Sequence, residues 1–70
     1  MNEEDILTRV TAAYLKTEVA EWPNHRLSTV EEIDGKRYAV LRNAYRVLAV
    51  YHVHEDGNFE DLEDWPKSIR

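Results

Sequence analysis

Apolar positions near the start of the chain recur at the spacing of one face of an α-helix. They are spaced three and four residues apart at Ile6, Leu7, Val10, Ala13 and Tyr14, which is the helical period. Asn2 precedes them as a favourable N-cap residue, and three acidic residues follow it at the positive end of the helix dipole. Pro23 disfavours helical geometry at the residue before it. The pattern therefore predicts an amphipathic helix that ends near Val19 to Glu21.

From Leu27 onwards the pattern changes to β-branched and aromatic residues bounded by turn residues, which is typical of strands. The pairs Asp34-Gly35 and Asp56-Gly57 predict two hairpin turns, because glycine supplies the positive φ that tight turns need. Asn43-Ala44 is a candidate for a third turn. The predicted strands are 27–33, 36–42, 45–54 and 58–62. Residues 1–70 are thus expected to form one α+β domain, with the helix packed on a three- to four-stranded antiparallel β-meander in the order α-β-β-β-β.

The register of the first hairpin has two alternatives. A two-residue turn at Asp34-Gly35 pairs Glu32 with Arg37, whereas a three-residue loop with a bulge pairs Glu32 with Lys36 and Glu31 with Arg37. The bulged register makes two cross-strand charge pairs, and such pairs stabilise a sheet. The sequence therefore favours the bulged register.

In the first half of the predicted central strand, residues 45–54, both the odd-numbered and the even-numbered positions are apolar. A strand that is buried on one face only would instead alternate between apolar and polar residues. One face is expected to carry Val47, Ala49, Tyr51 and Val53, and the other Leu48, Val50, His52 and His54. A single helix can cover only one of them, so the other face is expected to need a partner. This favours a small protein–protein interaction module, with a homodimer through the uncovered sheet face as one form. The expected interface residues are Tyr38, Leu48, Val50, Tyr51 and Trp65.

Two tryptophans, Trp22 and Trp65, each precede a proline outside the predicted elements. Such side chains commonly cover the ends of a small core. The alternative is that one of them is exposed and anchors an interface, where tryptophan is enriched.

Composition narrows the function classes. The chain has 43% hydrophobic and 33% charged residues, no cysteine, and a net charge of −5. Such a charge argues against a general nucleic-acid binder, whose affinity comes largely from neutralising phosphates. The acidic N-terminus does not resemble a signal peptide, and no apolar run approaches the length of a membrane span. We expect a cytoplasmic protein without a cofactor, and no enzyme, because no nucleophile motif or phosphate-binding glycine loop is present.

Charge is unevenly distributed along the chain. Residues 35–54 hold four basic and no acidic residues, and residues 55–64 hold six acidic and no basic ones, namely Glu55, Asp56, Glu60, Asp61, Glu63 and Asp64. The acidic stretch permits a second hypothesis, an inhibitor of the phage or mobile-element type that mimics nucleic acid. The basic stretch, with its interleaved tyrosines, permits a third, a sheet-based nucleic-acid binder.

His52 and His54 are two residues apart, so on a strand their side chains point to the same face. With Glu60 or Asp61 on the paired strand they could hold a divalent metal, because histidine and carboxylate are ordinary zinc ligands. Exposed histidines beside acids are also common on sheet edges. The sequence therefore predicts no metal site and leaves these two histidines as candidates.

Overall fold

The computed structural model describes residues 2–17 and 21–69. Its elements are the helix α1 (Glu3–Leu15) and four strands, β1 (Thr29–Ile33), β2 (Lys36–Arg42), β3 (Val47–Val53) and β4 (Phe59–Asp61). The strands form one antiparallel sheet in the order β1-β2-β3-β4. This confirms the predicted α+β fold and its element order. Within the described residues, no helix has the length and apolar character needed to cross a membrane.

Helix α1 begins where the sequence predicts and ends earlier. The Asn2 side chain accepts a hydrogen bond from the backbone N–H of Asp5 at 2.8 Å, which caps the first turn. The helix ends at Leu15, which is earlier than the predicted end near Val19 to Glu21. Residues 18–20, on which part of that prediction falls, lie outside the described residues. The Thr17 hydroxyl donates to the Tyr14 carbonyl at 2.7 Å, and such local side-chain bonds compete with helix continuation.

The first hairpin has the two-residue turn, so the favoured bulged register is wrong. Glu32 pairs with Arg37 and Ile33 pairs with Lys36. Asp34 has φ 52° and Gly35 has φ 77°, and two positive φ values define the turn whose twist best matches the flanking strands. The local turn geometry therefore outweighs the extra charge pair that the bulged register would have made.

The other two turns also form at the predicted positions. The β3–β4 turn closes with a hydrogen bond from the Gly57 N–H to the His54 carbonyl at 3.0 Å, and Gly57 has φ 92°. In the β2–β3 turn, the Asn43 side-chain oxygen accepts from the N–H groups of Tyr45 and Arg46 at 2.9 and 3.0 Å. Asn43 thus stabilises its turn through its side chain.

A shift of register in β3 changes which residues share a face. Leu41 pairs with Ala49 and Arg42 pairs with Val47, so Leu48 is the extra residue of a β-bulge. As a result Val47 packs on the same face as Val50. The expectation that Val47 lies on the face of Tyr51 is wrong, because the bulge inverts the alternation at this point.

The first face of the sheet packs against α1. The buried side chains between the helix and the sheet are Ile6, Leu7, Val10, Ala39, Leu41, Ala49, Tyr51 and Val53. Tyr14, Val30 and Phe59 are partly buried around them. The helix residues of this core, together with Ala49, Tyr51 and Val53 on β3, lie on the faces that the sequence predicts.

The second face is covered by the segment after β4, residues 62–69, which we call the closing segment. Ile69 lies on Val40 and Val50, and all three side chains are 0% exposed. Leu62 donates its N–H to the Val50 carbonyl at 3.0 Å, which anchors the start of the segment. The expectation of an uncovered second face is therefore corrected, because an irregular segment of the same chain covers its centre.

Candidate functional site

Two histidines and one carboxylate form a cluster on the second face, where β3 and β4 lead into their connecting turn. His52 on β3 pairs with Glu60 on β4, and His54 lies two residues further along the same face. The Glu60 Oε1 atom is 3.5 Å from His52 Nδ1 and 3.4 Å from His54 Nε2. One ligand atom from each of the three residues lies within 4.8 Å of the other two. The structure thus brings together both candidate histidines and one of the two candidate carboxylates.

The surroundings of the cluster orient its rings. The His52 and His54 rings have centroids 4.2 Å apart, and the Tyr38 ring lies 5.5 Å from that of His52. Asp61, the other candidate carboxylate, pairs with Tyr51 and therefore alternates to the face that carries α1. Its charge contributes to the raised pKa of Tyr51, for which burial is the larger cause.

The interface residues expected from the sequence do not share one open surface. Val50 and Tyr51 are buried on opposite faces, Val50 beneath the closing segment and Tyr51 beneath α1. Tyr38 and Trp65 are half-buried beside the apolar cluster of Val40, Val50 and Ile69. Leu48 is half-buried at the bulge. The Trp65 side chain packs against the buried Val40, Val50 and Ile69, and its indole N–H donates to the Leu62 carbonyl at 3.2 Å.

The six acids expected to form one acidic surface are divided among different environments. Glu55 and Asp56 are in the β3–β4 turn, where Asp56 accepts hydrogen bonds from the backbone and side chain of Asn58. Glu60 and Asp61 alternate between the two faces of β4, and Glu63 and Asp64 follow in the closing segment.

Two arginines of the basic stretch, which the nucleic-acid hypothesis would use to contact phosphates, are instead paired with carboxylates. Arg42 donates to Glu31 at 2.9 Å and to the Thr29 hydroxyl at 2.7 Å. The hydrogen bond from Arg42 is the main cause of the lowered pKa of the Glu31 carboxyl. Arg46 donates through Nε to Glu21 at 2.7 Å.

Among residues 2–17 and 21–69, the large apolar side chains that are exposed lie at the end of the sheet away from the histidine cluster. Trp22 is 70% exposed, Leu27 is 42% exposed and Tyr45 is 88% exposed. We call this surface the aromatic end. Trp22 and Leu27 lie in the connection between α1 and β1, and Tyr45 lies in the β2–β3 turn.

Several hydrogen bonds hold these two segments together. Asn24 donates its N–H to the Arg42 carbonyl at 2.7 Å, and Glu21 accepts from Arg46. The Ser28 hydroxyl is buried, donates to the Asn24 carbonyl at 2.9 Å and accepts from the Arg42 N–H at 3.1 Å. The aromatic end is therefore a fixed part of the fold.

The sequence-based interface omits Leu27 and Tyr45 and names Trp22 only as an alternative anchor. Their positions in the sequence could have indicated that all three are exposed. Each lies beyond the predicted helix, at a strand end or in a turn, and connecting segments run over the surface. Hydrophobic periodicity could not reveal them, since it identifies the side chains that pack inward.

The fold and these two surfaces define a small α+β chain with a four-stranded meander. Comparison with protein families, with curated proteins and with solved structures finds no significant match.

Proposed function

We propose that the chain is a small protein–protein interaction module and that the aromatic end is its contact surface. The observation that carries this proposal is the exposure of Trp22 and Tyr45, 70% and 88%, on two hydrogen-bonded segments. A chain of this length has a thin core that large apolar side chains would stabilise. Exposed aromatic side chains at one place mark binding surfaces more often than single scattered ones do.

The rigidity of the aromatic end supports the same function. Glu21, which precedes Trp22, accepts from Arg46, which follows Tyr45. The backbone of Asn24 is bonded to that of Arg42. A surface that is ordered before binding loses less conformational entropy when a partner docks.

Charge around the aromatic end indicates the chemistry of the partner. Arg26 is exposed beside Leu27 in the connection between α1 and β1. A partner that presents an apolar patch with carboxylates at its rim would complement this surface. A symmetric homodimer through the same surface would place Arg26 near its own copy, and the chain as a whole carries a net charge of −5. Both favour a different protein over a second copy.

The proposal can be tested by placing a photo-crosslinking residue at position 45 in cells. We expect a discrete crosslinked species that contains an acidic partner, and none from the same residue at Thr8, which is exposed on α1. With that partner purified, Trp22→Ala should weaken binding about tenfold or more, as hot-spot residues do. The matched control is His25→Ala, an exposed neighbour outside the apolar set.

Two results would overturn the proposal. One is equal crosslinking from positions 45 and 8. The other is an affinity that Trp22→Ala leaves unchanged. Sedimentation of the purified chain distinguishes the remaining occupant, because a dimer that Tyr45→Ser dissociates would make the partner a second copy and contradict the acidic-rimmed partner.

A further inference from the structure

We infer that His52, His54 and Glu60 form a binding site for a divalent transition metal, of which zinc is the best match. The site lies on the second face of the sheet and shares no residue with the aromatic end. Three donors converge here from two adjacent strands and the turn that joins them. The inference is independent of the proposed interaction function.

The spacing of the donor atoms fits a coordination sphere. Zinc binds nitrogen and oxygen ligands at about 2.0–2.1 Å in tetrahedral geometry, which places neighbouring ligand atoms about 3.3 Å apart. The two observed nitrogen-to-oxygen distances, from Glu60 Oε1 to His52 Nδ1 and to His54 Nε2, are 3.5 and 3.4 Å. The third separation, between the donor nitrogens of His52 and His54, is within 4.8 Å, so binding of all three donors to one ion requires the two imidazole rings to move towards the ion.

The same distances are long for direct hydrogen bonds. N–H···O bonds in proteins are about 2.7–3.2 Å between heavy atoms, and both distances to Glu60 Oε1 exceed that range. Two imidazole nitrogens also approach one carboxylate oxygen, so the three donors surround a common point. A cation at that point satisfies all three at once.

The donor set identifies the class of metal. Two imidazoles and one carboxylate suit zinc, copper and nickel, whereas calcium and magnesium require mostly oxygen ligands. The side chains of His52, His54 and Glu60 are 20%, 43% and 59% exposed. The cluster is thus open on its solvent side, where a fourth ligand, water or a donor from another molecule, could complete the tetrahedron.

Isothermal titration of the full chain with zinc chloride tests the inference. We expect one zinc per chain and a loss of affinity of about tenfold or more in His54→Ala and in Glu60→Gln, since even outer-shell changes cost about that much. His25→Ala and Glu55→Gln are matched controls, because each removes an exposed group of the same type outside the cluster. Both controls should bind zinc as the parent chain does.

A second measurement distinguishes loss of ligands from loss of fold. Circular dichroism in EDTA should be the same for the parent chain and both cluster variants. Zinc should raise the melting temperature of the parent chain and of the controls only, because a ligand that binds the folded state stabilises it. Cobalt substitution should give the visible absorption bands of tetrahedral Co(II).

Three outcomes would overturn the metal site. They are the absence of saturable zinc binding up to about 1 mM, equal weakening by His25→Ala, and equal competition by magnesium. None of these outcomes bears on the crosslinking at position 45, so the two proposals fail separately.

Discussion

Replacing Ile69 with alanine tests whether the closing segment completes the fold. Ile69 is 0% exposed and packs against Val40 and Val50 on the face that α1 does not reach. The substitution removes three carbon atoms, and burial of each contributes about 0.8 kcal/mol. The transfer contribution alone is therefore about 2.4 kcal/mol, and buried isoleucine-to-alanine changes cost about 2–5 kcal/mol in all.

The position of Ile69 sets the expected value within that range. If the closing segment detaches in the variant, no cavity remains, so the loss of stability is limited to the free energy with which the segment docks on the sheet. We expect Ile69→Ala to lower the free energy of unfolding by about 2–3 kcal/mol. For a domain of this size that corresponds to a fall in melting temperature of about 10–20 °C.

Urea denaturation followed by circular dichroism at neutral pH measures this change. Lys67→Ala, an exposed position in the same segment, is the control and should alter the free energy of unfolding by less than about 0.5 kcal/mol. Fluorescence of Trp65 in a Trp22→Phe background reports on the segment itself, because Trp65 is half-buried within it. If Ile69→Ala and Lys67→Ala have the same stability, Ile69 does not pack on the second face and the account of that face given above is refuted.

Two further predictions concern the first hairpin. Gly35→Ala should destabilise the fold by about 1–2 kcal/mol in urea denaturation, since a side chain at φ 77° is strained although no atom lies within 4 Å of the added Cβ. An unchanged midpoint would contradict the two-residue turn. Glu31→Gln should lower stability at pH 7 by at most about 1 kcal/mol, because the Glu31 side chain is 37% exposed and solvent screens its pair with Arg42. The pKa of Glu31 is lowered in the fold, so its contribution is present above the unfolded pKa and lost as the pH falls through the folded pKa. The difference between parent and variant should therefore shrink below about pH 4. The control for the charge change itself is Glu32→Gln, at an exposed position on β1, which should alter the free energy of unfolding at pH 7 by less than about 0.5 kcal/mol.

The parts of the fold that follow local rules could be predicted from the sequence. The Asn2 cap, the helical stripe and the glycine turns each depend on residues within a few positions of one another. The strand bounds differ from the predicted ones by at most two residues at each end, and β2 matches at both ends. Strand ends of this kind are fixed by turn residues, which can be identified directly in the sequence.

The features that were predicted wrongly depend on competition between local and distant interactions. The bulged register was favoured for its charge pairs, which contribute about 0.2–1 kcal/mol each. Asp34 and Gly35 instead both adopt positive φ, and this turn sets the register. The β-bulge at Leu48 has no signal in the sequence, because Leu48 fits an unbroken strand as well as a bulged one.

The sequence predicts only part of the candidate metal cluster. The two-residue spacing of His52 and His54 predicts a shared face from strand geometry alone. Choosing Glu60 over Asp61 required the register of β3 against β4, in which Glu60 faces His52. That register follows from the three-residue loop that joins His54 to Asn58.

The two-sided apolar pattern of β3 reflects packing on both faces of the sheet within one chain. Its pattern correctly indicated that both faces of the sheet are buried, since Val50 and Tyr51 are each 5% exposed or less. The cover of the second face is not a regular element, since Ile69 of the closing segment packs on Val40 and Val50. The closing segment has no helical or strand period, so periodicity could not detect it as a cover. Apolar side chains that no element of the chain covers are the stricter indicator, and among the described residues Trp22 and Tyr45 meet it best.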